Sequence, residues 1–251
     1  MADTPTDRRQ QVRLRQQQEA SAAKRRRLIR QLVLVGALVL VVAAMIGTAV
    51  FFGLRGQSGT APQANTTVTV DNVSVPFVVE GTAVRIGPAD AKAKIDLWVD
   101  YSCPHCQEFE AANDQLLNQL VAAGDTSVSY HNIQIVTDYG TQAGSAGACV
   151  AANDAEKWVD VNAALYANHS ADTDGWGAAQ FADFAAQHGV NSAAQTCIQN
   201  SKYTDWITAN TTASAAAGVS GTPTMFINGE KQEQTPSGDA LKAKVDQIVA
   251  S

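Results

Sequence analysis

The sequence predicts an α/β domain in which a βαβ half and a ββα half flank a helical insertion, the whole preceded by one transmembrane helix. Three observations predict it. Residues 32–54 form a run of 23 without a charge, residues 94–136 follow a strand, helix, strand pattern, and Asn228-Gly229 links a short apolar run to a C-terminal helical pattern. The order strand, helix, strand implies parallel pairing with a right-handed crossover.

The chain has 251 residues, enough for one sizeable domain plus extra segments, and 45% of them are hydrophobic, an ordinary share for a packed core. Charge is distributed unevenly. Residues 1–31 carry nine of the eighteen basic side chains against three acids, and the remainder carries nine basic against twenty-one acidic, a balance of −12. An acidic domain repels phosphate backbones, which excludes nucleic acid as a partner.

The uncharged run accounts for the basic tail, 1–31. A helix over 32–54 would be about 35 Å long, sufficient to cross a hydrocarbon core of ~30 Å. Lys24, Arg25, Arg26, Arg27 and Arg30 precede it and only Arg55 comes closely after. The positive-inside rule therefore puts the N-terminus in the cytoplasm and the rest outside, as a single-pass protein of the cell membrane. A cleaved signal peptide is the alternative, but its apolar region normally spans ~7–15 residues before a small-residue cleavage site. Either reading delivers the domain to a compartment that permits disulfides.

Residues 55–74 read as a Gly/Ser/Pro-bearing linker and the start of the extracytoplasmic region, and 75–251 as the folded domain. Val68, Val70, Val73, Val75 and 77–79 suggest short extended segments. Residues 94–101 are rich in strand formers. Phe109, Ala112, Leu116, Leu117, Leu120 and Val121 recur at helical spacing across 107–123, and Gly124 is a stop signal. Residues 128–136 alternate as a strand does. An Ala-rich insertion at about 138–216 reads as helices over 144–166, 177–187, 192–199 and 202–216. A short strand, the Asn228-Gly229 turn and a helix over 238–250, with Leu241, Val245, Ile248 and Val249 on one side, complete the chain.

The chemistry centres on Cys103-Pro104-His105-Cys106, where the first strand ends and its helix begins. Half of a zinc site has the same C-x-x-C spacing, but Cys149 and Cys197 form no second pair and His131, His169 and His188 no ligand pattern, so no metal and no cofactor are expected. At a helix N-terminus, unpaired N–H groups and the macrodipole favour an anionic sulfur at Cys103. Pro104 suits the first turn, since its missing N–H would be unpaired there. Cys106, three residues on, lies on the same face, within reach of disulfide geometry. Cys103 is then the exposed nucleophile and Cys106 the resolving thiol. His105 can place a cation or donor beside Cys103 and lower its pKa further.

Strand, CPHC, helix, a helical insertion and Gly221-Thr-Pro-Thr-Met-Phe-Ile-Asn-Gly229 together resemble the DsbA family, thioredoxin-fold thiol–disulfide oxidoreductases of bacterial cell envelopes, over about 75–250. The resemblance implies a thioredoxin-like fold, exchange carried by Cys103 and Cys106, and Thr222-Pro223 as a cis-proline loop packed against them. It implies dithiol oxidation of newly exported proteins, with reoxidation by a membrane partner of DsbB-like or VKOR-like type. Two positions depart from the family pattern. Leu97 stands where many relatives have a buried acid six residues before the first cysteine, leaving the proton handling of Cys106 unassigned. Thr222 replaces a Val and is common in isomerase-like branches. The two remaining cysteines, Cys149 and Cys197, are expected to form a structural disulfide, as some membrane-anchored relatives carry one. Two free buried thiols or a second redox centre are the alternatives.

Rival functions remain. A reductase or isomerase would use the same residues at a different potential, and a chaperone-like module would hold unfolded clients without needing either cysteine. His169 to Gly175 superficially matches a calcium loop but has Phe181 where a bidentate Glu is needed, so it reads as a polar turn.

Overall fold

A computed structural model describes residues 59–251, and the tail and apolar run expected at 1–31 and 32–54 lie outside them. Among the described residues no helix is long and apolar enough to cross a membrane. Seven strands form one sheet in the order β1-β2-β3-β5-β4-β6-β7. They are β1 (Asn65–Val70), β2 (Val73–Glu80), β3 (Ala83–Ile86), β4 (Ala93–Val99), β5 (Thr126–Asn132), β6 (Thr224–Ile227) and β7 (Glu230–Lys231). Helix α1 (Pro104–Ala122) joins β4 to β5, and this pair alone is parallel, Ala93 facing Thr126 through Val99 facing Asn132. A crossover of this length permits parallel pairing, whereas the two-residue turns Asp71-Asn72 and Asn228-Gly229, all at positive φ, permit only hairpins.

Strand β4 shows why the site is rigid. Ile95, Leu97 and Val99 enter the main core, while Trp98 points the other way into a smaller cluster with Ile133 and Val219. From Leu97 to Val99 the strand is buried on both faces, with β5 and β6 on its two edges, so it is held firmly up to the turn that carries the cysteines. Trp158, fully buried, packs edge-on against Phe77 and Tyr130 and ties the insertion to the sheet.

The insertion comprises α2 (Asp138–Asn153), a 3₁₀ turn (Ala155–Lys157), α3 (Trp158–Asn168), α4 (Ala178–Gln187), α5 (Ser192–Gln199) and α6 (Thr204–Ala216), and α7 (Asp239–Val249) closes the fold against β4. The helical insertion thus spans 138–216, and the fold class is thioredoxin-like α/β.

Four local expectations need correction. The sheet begins at Asn65, upstream of the expected domain start at 75, because β1 pairs along its whole length with β2. Strand β3 has no counterpart among the expected elements, since Ala83-Val-Arg-Ile86 is buried throughout and shows no alternation. The strand expected over 128–136 stops at Asn132: the Ile133 amide makes a last bond to Val99 O of β4, and the next amides bond elsewhere, Gln134 to Thr211 Oγ1 and Ile135 and Val136 to Asp100. The single helix expected over 144–166 is two, broken at Asp154, whose carboxylate accepts the Asn191 amide instead of continuing the helix.

Candidate active site

Cys103 is the N-cap of α1, with extended backbone (φ −85°, ψ 121°) and Pro104 in the first turn. That turn carries no acidic residue, so nothing offsets the partial positive charge of its free N–H groups. Both cysteines are free and buried. The Cys103 thiol is pulled down to about 5, chiefly by the hydrogen bond from the Cys106 side chain, then against its own burial by the Thr222 side chain and by backbone groups of Cys106 and His105. Cys106 moves the opposite way: burial, and the negative neighbour it serves, push its thiol far above the ordinary range. One sulfur is built to be an anion and the other to keep its proton.

Thr222 and Pro223 come to the dithiol from the far end of the sequence. Their peptide bond is cis, and Cys103 Sγ lies 3.3 Å from the Thr222 carbonyl oxygen. The ring of His105 stands elsewhere than beside the sulfur. Its side chain is 79% exposed and sits 3.4 Å from Glu108, so His105 acts on Cys103 through its backbone.

The turn between β4 and α1 is clamped by Asp100, which is wholly buried. One carboxylate oxygen accepts from the Ser102 amide (2.8 Å) and hydroxyl (2.6 Å), and the other from the amides of Ile135 (2.7 Å) and Val136 (2.9 Å). Four donors satisfy a charge that burial alone would penalise heavily. Gly140 in α2 makes room for it: a Cβ there would meet Asp100 Oδ1 at 2.2 Å. The loop held by this carboxylate presents Ile135 and Val136, 46% and 50% exposed, next to the turn that carries the cysteines. Neither the clamp nor the apolar rim is visible in local sequence pattern. The rim residues alternate as if in a strand, and two of the four donors to Asp100 lie 35 and 36 residues away.

Cys149 in α2 and Cys197 in α5 are joined by a disulfide, S–S 2.07 Å and Cα–Cα 5.6 Å. It lies within the insertion and leaves the CPHC pair as a separate dithiol. Leu97 is fully buried in the core, as its strand position requires. Among the described residues no group of three or more His, Cys, Asp or Glu side chains is arranged to hold a metal ion.

A family model described as thioredoxin matches residues 79–247, more than half of the chain. The chain belongs to the thioredoxin family. Within it, the fold is similar to that of MdbA, a thiol-disulfide oxidoreductase from Corynebacterium diphtheriae, at 25% identity and a TM-score of 0.60, covering 71% of this chain and 95% of that one. It is also similar to reduced DsbA from Mycobacterium tuberculosis, at 26% identity and a TM-score of 0.57, covering 68% and 94%. The reduced disulfide bond oxidoreductase DsbG from the same organism matches at 27% identity and a TM-score of 0.57, covering 68% and 90%. No curated protein matches the sequence. The thioredoxin-family match begins at 79, so β1 and most of β2 lie ahead of it.

Proposed function

We propose that this chain is a thiol–disulfide oxidoreductase that donates disulfides to exported proteins through Cys103 and Cys106. The observation that carries the reading is the opposed poise of the two sulfurs, Cys103 low at about 5 and Cys106 high, at the start of one helix. In the oxidised enzyme, a client thiolate attacks Cys103 Sγ. The Cys103–Cys106 bond breaks, Cys106 takes up a proton, and a mixed disulfide forms. The client's second thiol loses its proton and attacks the client sulfur of that bond. Cys103 then leaves as a thiolate and the client leaves with a disulfide, two electrons having passed to the enzyme.

The leaving group sets the direction. At pH 7, a thiol held at about 5 rather than ~8.5 makes the couple more oxidising by at most about 60 mV. The apolar rim at Ile135 and Val136 supplies a surface suited to unfolded, apolar client segments. A membrane reoxidase of DsbB-like or VKOR-like type would restore the disulfide. The uncharged run at 32–54 with its basic flank supports a single-pass anchor with the domain outside, where proteolysis of intact cells would remove the domain and spare the tail. The deciding experiment replaces Cys103 with Ser and monitors refolding of a reduced disulfide protein. Oxidation should cease, and undiminished oxidation would reject the proposal.

A second reading, reductase or isomerase, is favoured by Thr222, whose side chain is among the groups acting on Cys103. The reduction potential separates the two. A value near −120 mV supports donation of disulfides, and one near −270 mV supports reduction.

A further inference from the structure

The side of α1 that meets α3 carries polar groups that disulfide exchange leaves unused. Glu110 is only 4% exposed, yet among the described residues neither it nor Asp114, one turn on, has a cationic partner. Each carboxylate is half satisfied by a neutral amide. Glu110 Oε1 accepts from Asn162 Nδ2 at 2.8 Å and Asp114 Oδ1 from Asn118 Nδ2 at 3.1 Å, while among the described residues nothing donates to their second oxygens. Tyr166, on α3, is buried, and its hydroxyl has no hydrogen-bond partner. A buried polar group left unpaired calls for an explanation.

All three residues line one pocket of about 490 Å³ between α1 and α3, which is open to solvent. The rest of its wall is largely Ala111, Ala163 and Ala167, short side chains that leave the space free and face it with carbon. Such a slot suits a long cationic side chain: the apolar wall takes a methylene stem and the spare oxygens take the N–H groups at its head. It suits a metal ion less well, because among the described residues no three His, Cys, Asp or Glu side chains are grouped to hold one. A planar guanidinium, with five donors in a fork, can serve two carboxylates whose Cβ atoms lie ~5–6 Å apart on one helix face.

The pocket also lies within reach of the reactive sulfur. Gln107, Glu110, Ala111 and Asp114 continue from Cys103 at intervals of three and four, so they prolong the face of α1 that begins at that residue. Gln107 Nε2 donates to the Tyr166 carbonyl at 2.9 Å and fixes α3 to α1 at the end nearer the cysteines. Along the helix axis Glu110 is about 10 Å from Cys103, a distance that an extended peptide covers in about three residues.

We propose that this pocket binds the guanidinium or ammonium head of an arginine or lysine in the client, three or four residues from the cysteine that Cys103 engages. The inference rests on the oxidoreductase reading and names the class of client segment it takes. Burial, and after it the like charge of Asp114, raises the Glu110 carboxyl to about 8, with Asn162 opposing. With no cation beside it, Glu110 is therefore mostly protonated at pH 7, and an arriving cation displaces that proton. The other titratable groups around it are Tyr101 and Tyr130 from the sheet side and Tyr166 from α3, all held neutral by burial. Asp160 on α3 and Asp71 in the β1–β2 turn add like charge at Asp114.

The test uses the oxidised full-length protein and single-cysteine peptides that carry either arginine or its neutral isostere citrulline at the third or fourth position from the cysteine. Mixed-disulfide formation is followed by acid quenching and mass spectrometry. The arginine peptide should react about tenfold faster than the citrulline peptide at pH 8, and this ratio should shrink as pH falls to 6. Glu110→Gln with Asp114→Asn should bring the ratio to about one. Asp90→Asn with Asp183→Asn, which removes two exposed acids elsewhere, should leave it within about twofold. Equal rates for the two peptides in the unaltered chain overturn the proposal. So does an advantage that survives the first double variant, or one that falls equally in the second, since general attraction to an acidic domain would then explain it. Where the first variant fails to fold, Ala167→Leu decides: it fills the pocket without altering charge and should abolish the advantage, and an undiminished ratio overturns the site. Isothermal titration with methylguanidinium separates the sources of the cation. Binding as tight as that of the arginine peptide would make the pocket a site for a free solute and overturn the assignment to clients. If neither peptide forms a mixed disulfide, the oxidoreductase reading itself fails.

Discussion

Cys103 Sγ and the Thr222 carbonyl oxygen stand 3.3 Å apart although 119 residues separate them in the chain. The Cys103 sulfur is thus framed by two halves of the fold, the start of α1 and the approach to β6, with the whole insertion looping between them. The poise of that sulfur can be measured through stability.

Cys103 sits at about 5 in the folded reduced protein and near ~8.5 when unfolded, so between these values the unfolded state binds more protons and reduced-state stability rises with pH. The contribution is complete above the unfolded value and is lost as pH falls through 5. Comparing reduced with oxidised protein cancels the Glu110 carboxyl, which burial raises to about 8 and which works in the opposite sense. Urea unfolding should show the reduced form gaining on the oxidised form by up to about 2 kcal/mol between pH 4 and 7, after allowance for solvent screening. A gap that does not change with pH would refute the thiolate assignment.

Gly140→Ala should be severe. Its new methyl group would overlap Asp100 Oδ1, and relief requires the carboxylate to release Ser102 or the 135–136 amides. Loss of about 2–3 kcal/mol is expected by denaturant titration. Exchange activity should fall with it, because the same carboxylate shapes the turn before Cys103.

Replacing Cys149 and Cys197 together by Ser opens a loop whose ends are 48 residues apart in sequence. Chain entropy predicts a loss of about 4 kcal/mol. Exchange at the CPHC pair should persist at temperatures where the variant stays folded. If activity vanished while the fold survived, the second pair would belong to the redox chemistry and not to the scaffold.

Ile135→Ser with Val136→Ser removes the apolar rim without touching either sulfur. Turnover of an unfolded protein client should drop by roughly tenfold in kcat/KM, as expected from lost burial of two apolar side chains. Oxidation of dithiothreitol, too small to use the rim, should be unchanged. Equal loss on both would show that the loop supports the turn and does not recognise clients.

Much of this architecture is legible in the sequence because local signals agree: strand formers end at Cys103, Pro104 opens a helix, and Asn228-Gly229 closes a hairpin. What escapes is set by tertiary partners. Strand β3 is sandwiched between β2 and β5 and buried on both faces, so alternation disappears, although Gly81 and Gly87-Pro88 punctuate its ends. Apolar periodicity predicts that helix α1 buries a face defined by Phe109, Ala112, Leu116, Leu117, Leu120 and Val121, and four of these six are buried. Its buried set is Cys106, Phe109, Glu110, Asn113, Leu117, Leu120 and Val121. Counting in threes and fours from Cys106 finds Glu110, Asn113 and Leu117, but only if polar residues are admitted to the inward face. Asn113 is admitted because it accepts the Gly238 amide and bonds Ser237, fastening α7.

The Asp100 clamp also limits how such a protein can diversify. Because one carboxylate spans the turn before Cys103 and the loop at 135–136, an insertion or deletion between 133 and 137 would unseat the turn together with the rim. Preference for different clients must therefore be changed by exchanging side chains at fixed backbone length, and the tolerance to insertion normally enjoyed by surface loops is withdrawn at this one place.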